Sequence, residues 1–148
     1  MRRADLSDLD RIAPLFHAYR EFYRLAPEPE RARNFLRDRL ERGESIIFLA
    51  LDCGDACGFT QLFASFSSGA LARIFILNDL FVAPHARNRG IGSRLLTAAS
   101  EFGRNEGAAR LVLSTEVTNQ TAQRVYERQG WKRDTQFLTY NLALPNST

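Results

Sequence analysis

The chain of 148 residues is 45% hydrophobic and 25% charged, with a formal net charge of +3, the balance of an ordinary folded domain that can bury a core without staples. No apolar run approaches the roughly 20 residues that span a bilayer. The basic start Met1-Arg2-Arg3-Ala4-Asp5 leads into no apolar segment, so no membrane partner and no secretory signal are expected, and a cytoplasmic location is. All basic residues but Lys132 are arginines, and along residues 31–44 they alternate with Asp and Glu. That pattern suits a solvated helix face and argues against a nucleic-acid partner. Cys53 and Cys57 bracket Gly54-Asp55-Ala56, while His17 and His85 lie in unrelated contexts; a structural zinc site needs more ligands than this, so no metal is expected.

Taken in order, residues 6–24 form the first periodic segment. Ser7 or Asp8 can cap it, and Leu9, Ile12, Ala13, Phe16 and Tyr19 or Arg20 recur at helical spacing. Pro27 and Pro29 break the chain before a second helix over residues 30–42, which carries Phe35, Leu36 and Leu40 inward and ends at Gly43. The run Ile46-Ile47-Phe48-Leu49-Ala50-Leu51 reads as a strand, residues 53–57 as a turn, and residues 58–66 as the return strand. A third strand over residues 73–82 stops at Pro84. An amphipathic helix follows over residues 90–106, then a strand at 110–115 and a helix at 119–129. Residues 131–134 and 135–142 read as a last strand pair, and residues 2–4 leave room for a short first strand. The result is a single domain of mixed α/β (α+β) class, one sheet between helices, and not a doubly wound nucleotide fold.

The most informative stretch is Leu80-Phe81-Val82-Ala83-Pro84-His85-Ala86-Arg87-Asn88-Arg89-Gly90-Ile91-Gly92-Ser93-Arg94. A hydrophobic strand ends at a proline, a basic loop follows, and two glycines open a helix. The start of a helix presents backbone N–H groups and about half a positive charge, and small residues there let an anion approach. Such a turn suits a pyrophosphate. It lacks the Lys-Ser/Thr of a P-loop and the third glycine of a dinucleotide fingerprint. Arg-x-x-Gly-x-Gly after a Leu-Phe-Val-x-Pro strand resembles the acetyl-CoA motif of the GNAT superfamily of N-acetyltransferases. Downstream, Asn119, Ala122, Tyr126 and Gly130-Trp131 resemble the second motif of that family. Taken by itself, Asn119 can cap a helix, and Ala122, Val125 and Tyr126 share one face.

The resemblance covers residues 74–131, with compatible patterns on both sides. It implies a fold in which two parallel strands, residues 74–82 and 110–115, splay apart around the pantetheine arm of acetyl-CoA. The backbone of Leu80, Phe81 and Val82 would then hold pantetheine and the acetyl carbonyl. Arg87, Asn88, Arg89, Gly90, Ile91, Gly92 and Ser93 would hold the pyrophosphate, and Asn119 and Tyr126 would border the thioester. The implied reaction is direct attack of a primary amine on the thioester, with Tyr126 as general acid for the thiolate.

The amine must also lose a proton, because an alkyl amine of pKa ~10.4 is neutral in about one molecule in two thousand at pH 7. Polyamine acetyltransferases of the superfamily are similar around the strand but carry Glu where Asn78 stands, and Asn cannot accept a net proton. Asp79 is the neighbouring carboxylate; strand alternation turns it to the opposite face unless a bulge re-aims it. Glu116 and a water relay are the other candidates. For the acceptor, whether a small amine, a polyamine or a protein amine, Tyr23 and Glu21 offer cation–π contact and ion pairing, beside Asn78. The region around residues 16–24 is similar to small amine or protein acetyltransferases related to a yeast histone and polyamine enzyme. A second reading is an acetyl-CoA-binding module that senses without efficient transfer. The apolar alternation of residues 137–142 would permit a homodimer.

Overall fold

The computed structural model describes residues 1–145, which divide into two compact units, residues 1–114 and residues 115–145. The first unit carries a five-stranded sheet in chain order: β1 (Arg2–Arg3), β2 (Ser45–Asp52), β3 (Asp55–Ser67), β4 (Ala72–Val82) and β5 (Leu111–Val112). The first four strands pair antiparallel and β5 joins β4 in parallel. Helices α1 (Leu9–Phe22) and α2 (Pro29–Glu41) cover one face, and α3 (Ile91–Asn105) covers the other.

The layers follow from side-chain periodicity. On α1, Leu9, Ile12 and Phe16 recur on one stripe and are buried with Leu36 of α2 against Ile47, Leu49, Phe59 and Phe81 of the sheet. The alternate residues of the same strands, among them Ala50, Leu80 and Val82, meet Ile91 and Leu95 of α3. Pro29 opens α2 at a position whose N–H would have no helical partner anyway. Phe16, Tyr19 and Phe59 interlock above the sheet, with Tyr19 edge-on to both Phe59 and Phe81 at centroid separations of 6.0 and 6.2 Å.

One charged group ties β1 to the start of α1. Asp8 is fully buried and accepts both prongs of Arg2, at 2.8 and 2.6 Å, together with the backbone N–H of Asp5 at 3.0 Å and Arg11 at 3.2 Å. Hydrogen bonding from Arg2, working against the cost of burial, holds its carboxyl at about 2. Asp5 accepts in turn from the N–H of Ser7, so the two aspartates cap the helix entry reciprocally.

The expected strand over residues 110–115 is shorter, since β5 pairs with β4 only at Phe75–Leu111 and Ile76–Val112. The expected last strand pair, residues 131–134 and 135–142, is not formed: no strand occurs among residues 115–145. Alternating apolarity defines a face, but a strand also needs a partner ladder, and the alternation cannot supply one. In this second unit, α4 (Gln120–Arg128) is capped by Asn119, whose side-chain oxygen accepts from the N–H of Ala122 at 3.2 Å. No helix among the described residues is long and apolar enough to cross a membrane.

Two outcomes follow for stability. A carboxyl lowered in the native state stabilises above its ordinary range and loses that contribution as the pH falls toward 2. Asp8→Asn should therefore destabilise at pH 7 by about 1–3 kcal/mol and flatten the fall in melting temperature between pH 5 and 2. At Gly58, a Cβ would lie 3.1 Å from the Phe81 carbonyl oxygen and 3.2 and 3.3 Å from Ile91 and Leu95. Gly58→Ala should push α3 off the sheet at a cost of about 1–3 kcal/mol, read by denaturant titration.

Candidate active site

The site begins with an irregularity in β4. Opposite β3, Leu62 pairs with Leu77 but Gln61 pairs with Asp79, so Asn78 is an extra residue. This bulge reverses the phase of the strand. Before it, Phe75 packs on Phe102 of α3 at a centroid separation of 5.1 Å; after it, Phe81 joins the core under α1. Asp79 has the parity of Phe75 and Leu77, so an unbroken strand would turn it toward α3. With the bulge it faces α1 and α2 instead, beside Asn78. Thr60 holds the distortion by donating its hydroxyl to the Asp79 carbonyl at 2.8 Å.

Asp79 and Asn78 line a cavity of about 380 Å³ with Gln61 of β3, Phe16, Tyr19 and Arg20 of α1, and Glu28, Arg31 and Phe35 from the segment leading into and along α2. Asp79 is 3% exposed. Its carboxylate accepts from Gln61 Nε2 at 2.5 Å, from Asn78 Nδ2 at 3.2 Å and from the Tyr19 hydroxyl. Burial pushes its pKa up, and these three donors only partly offset that. The Gln61 Oε1 on the same amide is buried without a partner. A buried carboxylate raised in this way, at the base of a cavity, is a candidate proton acceptor.

The strand beyond the bulge has an open edge. Pairing with β5 ends at Ile76, so among the described residues no strand flanks residues 77–82 on that side. The loop after Val82 then folds back. Residues Pro84–Ala86 make one 3-10 turn, Asn88 and Gly90 take left-handed φ values of 65° and 75°, and α3 opens at Ile91. At Gly90 that conformation favours glycine. At Gly92 an added Cβ would meet nothing closer than Val82 at 3.9 Å, so the glycine clears the approach to the helix start instead of relieving a clash. Ile91, Gly92 and Ser93 fall in the first turn of α3, the helix end that carries about half a positive charge.

The predicted residues are distributed unevenly. Arg87 donates its Nε to the Val82 carbonyl at 2.9 Å, and its guanidinium lies over Phe22 and Phe81 at 5.4 and 5.6 Å. It pins the loop to the strand end, and it occupies a carbonyl assigned above to pantetheine. Arg89 stays at the surface, 3.7 Å from Asp52. Glu21 is exposed and pairs with His17 at 3.0 Å, and Tyr23 packs on Tyr19 and Phe22, so neither lines the cavity, whereas Asn78 does. In the second unit, Tyr126 lies on α4 with Trp131 at a ring separation of 6.1 Å. Glu116 is exposed ahead of that helix. The sequence did not mark Gln61, Thr60 or Glu28, and it offered Arg20 only as a position on the helical stripe. A usable signal for the first two was two polar residues inside the apolar run of residues 58–63, which a buried strand tolerates only with partners.

Residues 12–131 match the model of the Acetyltransferase (GNAT) family. An uncharacterized N-acetyltransferase, YhfO, of Bacillus subtilis is 50% identical over 98% of this chain and 97% of its own length. A probable acetyltransferase of Haemophilus influenzae is 34% identical over 96% of both chains. The crystal structure of a probable acetyltransferase superposes with a TM-score of 0.92 at 44% identity, covering 99% of this chain and all of the other. The five-stranded mixed sheet flanked by helices is thus the GNAT fold, and this chain is an acyltransferase belonging to the GNAT acetyltransferase family.

Proposed function

We propose that the protein transfers the acetyl group of acetyl-CoA to a primary amine by direct attack in a ternary complex, with Asp79 taking the amine proton. The observation that carries this reading is the placement of Asp79, buried at the base of the cavity by the bulge at Asn78. Named relatives support an amine acceptor. An aminoalkylphosphonate N-acetyltransferase of Salmonella typhimurium is 36% identical over 57% of this chain. An aminoglycoside N-acetyltransferase crystallised with CoA shares the fold, with a TM-score of 0.81 at 20% identity.

The residues present fit the cosubstrate on two observations: the open edge of β4 past Ile76, and a helix start cleared by Gly90 and Gly92. Leu80 and Phe81 would present main-chain groups to pantetheine, and residues 88–93 would meet the pyrophosphate. Acetyl-CoA supplies the acyl group and a thiol leaving group. Ion pairing and hydrogen bonding at Asp79 would orient the incoming ammonium, and the raised pKa of this carboxyl narrows its gap to the amine. Asn78, which donates to Asp79 Oδ1, positions the base and is not itself one. Tyr126, carried by the second family motif with Asn119 at its helix cap, is assigned the proton for the departing thiolate.

The tests separate base from acid. Thiol release should give kcat/KM with an acidic limb above the ordinary carboxylate range, because protonation disables the base as the pH falls. In Asp79→Asn that limb should vanish and the rate should fall about 10²-fold or more. The same variant should be no less stable than the wild type at pH 8: a carboxyl raised by burial costs the native state stability once the pH exceeds its ordinary range. A retained acidic limb in Asp79→Asn would remove the residue from the role. For the acid, Tyr126→Phe should lower kcat about 10²-fold with acetyl-CoA affinity largely intact, and unchanged turnover would exclude it.

A further inference from the structure

The cavity above Asp79 has a second charged pole that the proton transfer does not use. Arg20 of α1 and Arg31 of α2 both line it, and Glu28 lies between them. Glu28 bonds to each: its Oε1 accepts from Arg31 Nη1 at 3.0 Å, and its Oε2 accepts from Arg20 Nη2 at a long 3.4 Å. Two guanidinium groups share one carboxylate, so this part of the wall keeps an excess positive charge. Arg20 is poorly satisfied for a side chain only 24% exposed. Nη2 divides itself between Glu28 and the Ala26 carbonyl at 3.2 Å, and the buried Nε has no partner. With Nε closed to solvent, what Arg20 offers the cavity is the exposed remainder of its side chain, a planar cation whose N–H donors suit the oxygens of a carboxylate or phosphonate.

Resting on the reading that this cavity takes the amine acceptor, we infer that the acceptor is a small amine carrying its own anionic group. Its ammonium would face Asp79, and its carboxylate or phosphonate would face Arg20 and Arg31. A diamine of similar length would instead bring its second ammonium up to two guanidinium groups, where like charges repel. A cavity of about 380 Å³ also favours a small molecule over a folded protein surface.

The test compares length-matched acceptors by thiol release: β-alanine, 2-aminoethylphosphonate, 3-aminopropan-1-ol and 1,3-diaminopropane. The two acidic amines should exceed the other two in kcat/KM by at least tenfold, mainly through KM; whichever acid leads identifies the anion. In Arg20→Gln that ratio should collapse toward one, and Arg31→Gln, at the more exposed rim, should reduce it several-fold. Calorimetry with propionate and ethylphosphonate, which cannot be acetylated, reads the anion subsite without turnover. At least one should bind the wild type and lose at least tenfold in affinity in Arg20→Gln. Acetylation of all four amines without preference, with no Arg20-dependent anion binding, would overturn the inference and leave amine transfer standing. Arg20-dependent anion binding without acetylation of any amine would do the reverse, keeping the subsite and sinking the amine reading.

Discussion

At Asn78 the strand β4 carries one residue more than its neighbour β3, and the chemistry on the face under α1 and α2 depends on that extra residue. A strand is a two-state device for direction, since each step turns the side chain to the other face. One inserted residue exchanges the faces for everything that follows. Here it delivers a carboxylate to the layer beneath α1 and α2, beside Asn78, which an unbroken strand would place there alone. At the distortion the Asp79 carbonyl accepts from the Thr60 hydroxyl.

The same region gives β4 its free edge. The parallel ladder to β5 spans only Phe75 and Ile76, and the bulge follows two residues later. A local increase in twist accompanies a bulge, which fits a strand that leaves its neighbour at that point. The open edge and the re-aimed carboxylate therefore begin within three residues of each other on a single strand.

Burial of Asp79 is expensive, and its surroundings only partly compensate. Gln61, Asn78 and Tyr19 all donate to it, yet desolvation wins and the pKa rises. Asp8 runs the other way: also closed to solvent, but with a smaller desolvation cost, it faces a bidentate arginine and is held near 2. The contrast follows from partner type. A guanidinium neutralises the charge, whereas amides and a phenol leave it in place. Arg20 shows the complementary pattern on the cationic side, a guanidinium with part of its fork unsatisfied.

Much of this was legible in the residues. Helical spacing at Leu9, Ile12 and Phe16, the apolar run after Ser45 and the paired glycines after Pro84 located the elements to within a few residues, because side-chain period and turn chemistry are local properties. The helix start after Gly90 and the Asn119 cap are equally local, and both appear in the structure. What the residues could not say was which face Asp79 occupies, since a bulge is a mismatch between two strands and belongs to neither alone. Nor could they say that residues 135–142 lack a ladder here, or that Arg87 would turn back onto Val82 and two phenylalanine rings. The grouping of Arg20, Glu28, Gln61 and Asp79 around one cavity joins α1, the segment before α2, β3 and β4 across some sixty residues of chain. Tertiary packing alone makes them neighbours, because only the closed layers bring side chains so distant in sequence to one cavity.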